Sequence, residues 1–408
     1  MKKYIAIVIA MLFYSSLSFA QALEDYYKIA AENNPGLLAM YKEYEAALQK
    51  VPQVSTLPDP TFSFGYFISP VETRVGPQQA KFSLTQMFPW FGTLKAQGDA
   101  AALMAEAKFQ SFIDARNKLY FQVASAYYPL YELRDWMRIE QENIKILESY
   151  KTIANQKFKN STGTMVDVLR VDIMLKDAKT NLSILRDKEK TLLTTFNKLL
   201  NRPENELVPI SDTLKSENLS DYYRKDSLIA ANPKLKALDL KLQSVEATEL
   251  AAQKQGLPKL GVGLDYVMVG ERTDISVPDN GKNVLMPMVS VSIPIFRAKY
   301  KASVKEAQLM QESYMLQKQE VANTLISEYE TAWFQVQQQL QLLSLYEEQI
   351  QTTQQSLNLL FTSYGNSGKE FEEVLRMQQQ LLKYRKMKAT ALVKYQISVK
   401  KINYLTSK

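Results

Sequence analysis

Residues 61–67 read Thr-Phe-Ser-Phe-Gly-Tyr-Phe, and this short stretch decides the class of fold. Large apolar side chains alternate with small or polar ones, which is the period of two that is typical of a β-strand. Three further stretches alternate in the same way, at residues 81–85, 260–268 and 289–293. Each predicted strand therefore has one apolar face and one small or polar face.

Two interpretations of these strands are open. One is a half-buried sheet in a soluble domain, and the other is part of a transmembrane barrel, whose strands turn an apolar face to lipid and a polar face to the lumen. The flanking sequence favours the barrel, because each strand pair joins directly to very long helical stretches that leave little material to cover an apolar sheet. The segments 68–80 and 270–284 contain Pro, Gly and charged residues, so we predict exposed loops there.

The chain also repeats itself at an offset of about 200 residues. Asn34-Pro35-Gly36-Leu37 returns as Asn232-Pro233-Lys234-Leu235, and Val168-Leu169-Arg170 returns as Val374-Leu375-Arg376. Three further pairs keep the same order: Leu57-Pro58 with Leu257-Pro258, Tyr66 with Tyr266, and Phe88-Pro89-Trp90-Phe91 with Ile293-Pro294-Ile295-Phe296. Five pairs in one register indicate a duplicated half-chain.

This duplication predicts how the chain is divided. Residues 1–20 have a positive start, a short apolar run and small residues near Ala20, which is typical of a signal peptide. The first structural repeat, 21–208, would contain a helix, a β-hairpin at 60–90 and a helical hairpin at 94–200. A linker would occupy 209–230. The second repeat, 231–408, would contain a helix, a β-hairpin at 259–296 and a helical hairpin at 300–406.

The helices themselves are predicted at 23–51, 94–159, 166–200, 235–255, 302–363 and 371–405. In the helix at 166–200, apolar residues recur at spacings of three and four, which is typical of a coiled coil, with an ordinary amphipathic helix as the alternative. These residues are Val168, Val171, Leu175, Ala178, Leu182 and Leu185. We expect Pro129 to kink the first long helix, because proline lacks the backbone donor.

A count of strands predicts the assembly. Four strands are too few to close a barrel, and open sheet edges are not tolerated in lipid. Two copies would give eight strands around a filled interior, whereas three would give twelve strands and a pore. The predicted fold is therefore mainly α with a small transmembrane β part. It is a duplicated half-chain with long antiparallel coiled-coil hairpins, whose four β-strands contribute to a trimeric 12-stranded barrel.

Over its whole length after the signal, the chain resembles the TolC family of outer-membrane efflux proteins. The resemblance is carried by both Asn-Pro-x-Leu openings, by Gln86-Met87-Phe88-Pro89-Trp90-Phe91-Gly92, by Ser292-Ile293-Pro294-Ile295-Phe296, and by the turns at Gly163 and Gly368, each followed by Val-Leu. It implies a homotrimer in the outer membrane of a Gram-negative bacterium, in contact with outer-membrane lipids and extending into the periplasm. Its partners would be a periplasmic adaptor (membrane fusion) protein and an inner-membrane pump.

The cargo and one alternative function stay open. Leu57-Pro58-Asp59-Pro60, together with Phe88-Pro89-Trp90, resembles the heavy-metal efflux branch, so metal ions and drugs or other small molecules are both candidate cargoes. The alternative function is a periplasmic coiled-coil adaptor or scaffold protein that does not enter the membrane.

The resemblance also assigns functional positions. The periplasmic gate and adaptor-docking tips would comprise Gly163, Thr164, Asp167, Tyr364, Gly368, Lys369, Glu370, Glu372 and Glu373. Arg376 stands where the family has a second aspartate, so an acidic ring would differ here, and glutamates are also typical of a helix start. The junctions between barrel and helices would comprise Pro89, Trp90, Phe91, Gly92, Pro294 and Phe296. Trp90 and Phe91 would suit an interfacial aromatic belt.

The residue types absent from the chain bear on chemistry. It contains no histidine and no cysteine, which removes imidazole and thiol chemistry, and it has no glycine loop that would cradle a phosphate. A net charge of +7 over 408 residues is weak evidence for an acidic partner. We therefore predict that the protein is not an enzyme, needs no cofactor, binds no nucleic acid, and takes the energy for export from another protein.

Overall fold

The computed structural model describes residues 23–210, 214–216, 230–367 and 371–407. Within these residues the chain is mostly helical with one four-stranded antiparallel sheet, as the sequence predicted. The predicted signal peptide and most of the predicted linker lie outside the described residues, and the limits of the two repeats stay a prediction. None of the described helices contains a stretch that is long and apolar enough to cross a bilayer.

The segment predicted as one helix at 23–51 is divided into three. They are α1 (Leu23–Asn33), α2 (Pro35–Leu48) and α3 (Lys50–Ser55). The first division lies at Asn34, whose side-chain Oδ1 accepts a hydrogen bond from the Leu37 N–H at 3.1 Å. Pro35 then occupies the first position of α2, where a missing N–H is tolerated. The repeated Asn-Pro pair therefore begins a new helix.

The long helices lie close to their predicted limits. They are α4 (Thr93–Lys159), α5 (Met165–Leu199), α6 (Pro233–Gln255), α7 (Ala298–Ser367) and α8 (Phe371–Thr406). Pro129 lies inside α4, which continues past it as helix. The predicted apolar seam of α5 is buried from Val168 to Leu182, and Leu185 at its end is half-buried.

The sheet consists of β1 (Thr61–Thr73), β2 (Gly76–Phe88), β3 (Lys259–Val269) and β4 (Val284–Ser292), paired in that order. All four predicted strands are present, but the loop predicted at 68–80 is wrong. Pairing continues to Thr73 opposite Gly76, so that only a tight turn separates β1 from β2. A register shift between Tyr66 and Val71 hides the alternation there, which is why the sequence pattern ended early. The second loop occupies 270–283, close to its prediction.

The chain forms two compact units. The helical unit comprises the described parts of Met1–Ala39, Ile113–Asn232 and Asn323–Lys408. The sheet-bearing unit comprises Met40–Phe112 and Pro233–Ala322. Each half of the sequence therefore contributes to both units.

The duplication is visible in a pair of matching contacts in the helical unit. Asn34 Nδ2 donates to Leu199 O at 2.9 Å, and Asn232 Nδ2 donates to Leu405 O at 3.0 Å. Each repeated asparagine thus binds the last turn of the returning helix of its own half, where carbonyl groups lack helical partners. The two Asn-Pro motifs perform the same structural task.

Candidate functional site

The sheet has one continuous apolar face that is open to its surroundings. Neighbouring strands place their large side chains opposite each other on this face, as in the pairs Phe64 with Phe82 and Leu84 with Leu264. Tyr66 is 69% exposed and Val289 is 78% exposed. Soluble monomeric domains rarely expose apolar patches of this continuity, so this face requires a covering.

The opposite face is mainly small or polar. Its small and polar residues are Thr61, Ser63, Gly65, Lys81, Ser83, Thr85, Lys259, Gly261, Gly263, Asp265, Ser290 and Ser292, and its apolar ones are Met87, Val267, Val284, Met286 and Met288. Asp265 is fully buried and forms an ion pair with Lys81. The pair is neutral overall, so it adds no net charge to this face.

The two outer strands have free edges. In the described part of the chain, β1 pairs only with β2, and β4 pairs only with β3. An unpaired strand edge presents a row of backbone donors and acceptors that must find partners where water is absent. The sheet therefore lacks neighbouring strands at both of its edges, and its apolar face lacks a covering.

The junction from β2 to α4 is a short, hydrogen-bonded turn. Gly92 adopts a φ of +79°, which favours glycine. The Thr93 hydroxyl donates to Trp90 O at 2.6 Å and so begins α4. Lys254 Nζ from α6 donates to Phe91 O at 3.2 Å. Phe91 itself is 77% exposed, so its aromatic ring is open to the surroundings at this junction.

The matching junction from β4 to α7 has the same character. The Ile295 N–H donates to Ile293 O at 3.0 Å around Pro294. Phe296 is 86% exposed. The aromatic belt assigned to these junctions stays a prediction, and the exposed rings of Phe91 and Phe296 are compatible with it.

In the helical unit, the turn between α4 and α5 is fixed by a capping box. The Thr164 side chain accepts a hydrogen bond from the Asp167 N–H at 3.2 Å, and the Thr164 N–H donates to Asp167 Oδ2 at 3.2 Å. A β-carbon at Gly163 would lie 3.0 Å from Lys157 Cβ, so glycine avoids a tight contact there. Asp167, predicted as a tip residue, therefore also starts α5.

The second tip is anchored by Tyr364, whose side chain is completely buried. Its ring stacks on Phe371 with the ring centroids 4.4 Å apart. Lys157 Nζ lies 4.6 Å from the Tyr364 ring centroid and donates to Tyr364 O at 2.8 Å. Burial, and then the negative charge of Asp167, raise the pKa of the Tyr364 hydroxyl. Sequence reasoning found Tyr364 but missed Lys157 and Phe371.

The acidic residues at the start of α8 form exposed ion pairs. Arg170 of α5 lies 2.8 Å from Glu372, and Glu373 pairs with Arg376 of its own helix. Gly368, Lys369 and Glu370 lie outside the described residues. The structure thus brings Tyr364 and Glu372 into contact with the first hairpin, but Glu373 contacts a residue of α8 itself.

A further ion cluster joins the two helices of the first hairpin. Asp172 of α5 pairs with Lys151 of α4 and, at 2.9 Å, with Lys176 of α5. Hydrogen bonds from these two lysines lower the pKa of Asp172 from 3.8 to about 2. This ion cluster therefore ties α5 to α4 at this point.

Comparison with known proteins agrees with this architecture. Residues 226–406 match the sequence profile of the outer membrane efflux protein family. This match covers 181 of the 408 residues. The matched family consists of passive outer-membrane channels, and the TolC resemblance found in the sequence is confirmed. A search among curated proteins finds no significant match to this chain.

Solved structures extend the likeness to nearly the whole chain. CusC has 14% identity and a TM-score of 0.78 over 94% of this chain and 91% of its own. VceC of Vibrio cholerae has 14% identity and a TM-score of 0.75 over 94% of this chain and 95% of its own. MtrE of Neisseria gonorrhoeae, solved in an open state, has 16% identity and a TM-score of 0.76 over 94% of this chain and 88% of its own. At these identities the comparison establishes the fold.

Proposed function

We propose that this chain is the exit duct of a tripartite efflux pump, a passive channel across the outer membrane and the periplasm. The observation that carries the proposal is the two-faced sheet, which is exposed and apolar on one side and small and polar on the other. Such a sheet suits a wall between lipid and an aqueous lumen. The family match supports the same function.

The proposed duct is a homotrimer. Each chain leaves the outer edges of β1 and β4 unpaired among its described residues, so copies of the chain can complete the wall by pairing β4 of one with β1 of the next. Three copies supply twelve strands, which is enough for an open lumen, whereas two would supply only eight.

The proposed location is the outer membrane of a Gram-negative bacterium, with the helical unit in the periplasm. There the duct would meet a periplasmic adaptor and, through it, an inner-membrane pump that supplies the energy. The two tips, around Thr164 and Tyr364, would form the periplasmic mouth and the adaptor-docking surface. Contacts of Lys157 with Tyr364 and of Arg170 with Glu372 would hold the two hairpins together while the mouth is closed.

Adjacent residues on opposite faces of β1 provide the test. Phe64 lies on the apolar face and is 58% exposed, and Ser63 lies on the polar face. An arginine at mid-bilayer on a lipid face costs about 2 to 4 kcal/mol, whereas the lumen face is hydrated. We expect Phe64→Arg to abolish membrane insertion, measured by membrane fractionation and heat-modifiable gel mobility, and Ser63→Arg to insert and conduct in planar bilayers.

The same experiment separates the duct from the adaptor or scaffold alternative. A duct is extracted only with detergent and has the mass of three chains in light scattering. A water-soluble protein that tolerates both arginine variants equally would contradict the proposal. The cargo stays a prediction, and the sensitivity of a deletion strain to metal ions and to drugs would distinguish the two candidates.

A further inference from the structure

A band of buried polar side chains joins α4 to α8 inside the helical unit. Glu140 of α4 is completely buried and forms an ion pair with Lys386 of α8. One turn further along α4, Asn143 Oδ1 accepts a hydrogen bond from Gln378 Nε2 at 3.1 Å, and both residues are buried. The Trp136 Nε1–H donates to Lys386 O at 3.2 Å. These contacts cross from the first helical hairpin to the second.

The contacts nearer to the tips are of a different kind. There the hairpins meet through an apolar cluster that includes Leu147, Tyr150 and Val374, and through the exposed pair of Arg170 and Glu372. At the tips themselves, the half-buried Lys157 also contacts Tyr364. Apolar side chains can slide past one another and exchange contacts, because dispersion attraction and hydrophobic burial have no preferred direction. An exposed ion pair is also easily replaced by water.

The buried band cannot slide in this way. A shift of α8 along α4 by one helical turn, about 5.4 Å, would separate Glu140 from Lys386 and leave a buried carboxylate without its cation. Among the described residues, Glu140 and Asp265 are the two buried carboxylates, and Glu140 is the one in the helical unit. Its Oε1 has no hydrogen-bond partner, so the interaction with Lys386 is its principal compensation.

We propose that Glu140 and Lys386, assisted by Asn143 and Gln378, are positioning residues that fix the register of the second hairpin on the first. The tips move relative to this band, which itself stays in place. Only the part of α8 between the band and the tip is displaced. This inference rests on the proposed function, because it assigns the band a role in setting the resting width of the mouth. A single buried polar pair that sets the register of packed helices is a known use of such groups.

The key variant is the double replacement Glu140→Leu with Lys386→Leu. Replacing a buried ion pair by apolar residues often leaves stability unchanged or raises it. On this proposal, the register of the two hairpins is then no longer specified. We expect a melting temperature at or above that of the wild type, together with a broader distribution of distances between α5 and α8 near the tips. The open fraction of single channels in planar bilayers should rise severalfold.

Distances are measured by pulsed electron paramagnetic resonance between labels at Ile173→Cys and Arg376→Cys, in trimers diluted with unlabelled chains. The chain contains no cysteine, so the labels attach only at these positions. The single variant Lys386→Leu should lower the melting temperature, because it leaves Glu140 buried and unpaired. If the Leu pair is not tolerated, Asn143→Leu with Gln378→Leu tests the neutral half of the band.

The matched control is the exposed pair Glu347 and Lys388, which joins α7 to α8. Its replacement by leucines should leave the tip distances and the open fraction unchanged. A Glu140→Leu/Lys386→Leu protein with wild-type distances and wild-type gating would overturn the inference. Failure of the wild type to form channels would instead contradict the proposed function, and the distance measurement would still report on register.

Discussion

Replacement of Lys157 by methionine should open the tips of the hairpins more than any change to the exposed ion pairs around them. Methionine keeps the apolar stem of the half-buried lysine but removes its ammonium group. That group makes two interactions with Tyr364, a hydrogen bond to the carbonyl oxygen and a contact with the ring face. Both join the end of α4 to the end of α7.

The magnitude follows from these two contacts. A hydrogen bond from a charged donor contributes about 1.5 to 3 kcal/mol, and a cation–π contact at a partly exposed site contributes about 0.5 to 1 kcal/mol. Since Lys157 is only half-buried, we expect a net loss near the lower end, about 2 kcal/mol. At about 1.4 kcal/mol for each factor of ten, the ratio of separated to joined tips should rise about 30-fold.

The assay is the open fraction of single channels in planar bilayers, combined with the distance between labels on α5 and α8. Two controls accompany it. Lys159→Met removes a second charge from the same last turn of α4, so it reports any contribution of the helix dipole. Arg170→Met removes an exposed pair with Glu372 that contributes at most about 1 kcal/mol. An effect of Lys159→Met or Arg170→Met equal to that of Lys157→Met would refute the reasoning.

Three further predictions concern stability. Thr164→Ala removes the cap of α5 and should lower the free energy of unfolding by about 1 kcal/mol in denaturant titrations, whereas Thr164→Ser should restore it. Gly76→Ala should prevent formation of the folded, heat-modifiable species seen on gels, because Gly76 has a φ of +130° and a β-carbon there would overlap Gly270 O. The control is Gly65→Ala, which should behave as wild type because no atom lies within 4 Å of a β-carbon at that position. Asp172 should stabilise the hairpin above its unfolded pKa of 3.8, and this stabilisation should disappear as pH falls towards about 2. Melting temperatures from pH 6 to pH 2 should show that loss in the wild type and a smaller one in Asp172→Asn.

The strands illustrate how far sequence reasoning reached. Alternation identified all four strands and the side chains that share each face, because successive residues of a strand point to opposite sides. It failed between Tyr66 and Gly76, where the register shift changes the face of each later residue. The order of the strands was also not available, because β2 pairs with β3 across a sequence separation that contains α4, α5 and α6.

At the tips, too, the sequence predicted some features and only the structure showed others. Glycine and threonine at the first turn predicted its place, and the structure adds the capping box that Thr164 forms with Asp167. The partner of Tyr364 could not be predicted, since Lys157 is 207 residues away and many lysines of α4 have a similar local sequence. The buried Glu140 was likewise indistinguishable from the exposed glutamates of the same helix.

The sequence by itself determined the class of each element, its approximate limits, the duplication and the two-faced character of the strands. These properties depend on backbone periodicity and on residues such as glycine and proline, whose effects are local. The tertiary structure alone decided which charges are buried, which helices they join and where the strand pairing stops. Burial and pairing depend on side chains that lie far apart along the chain, and their free energies arise only when the packed elements exclude water.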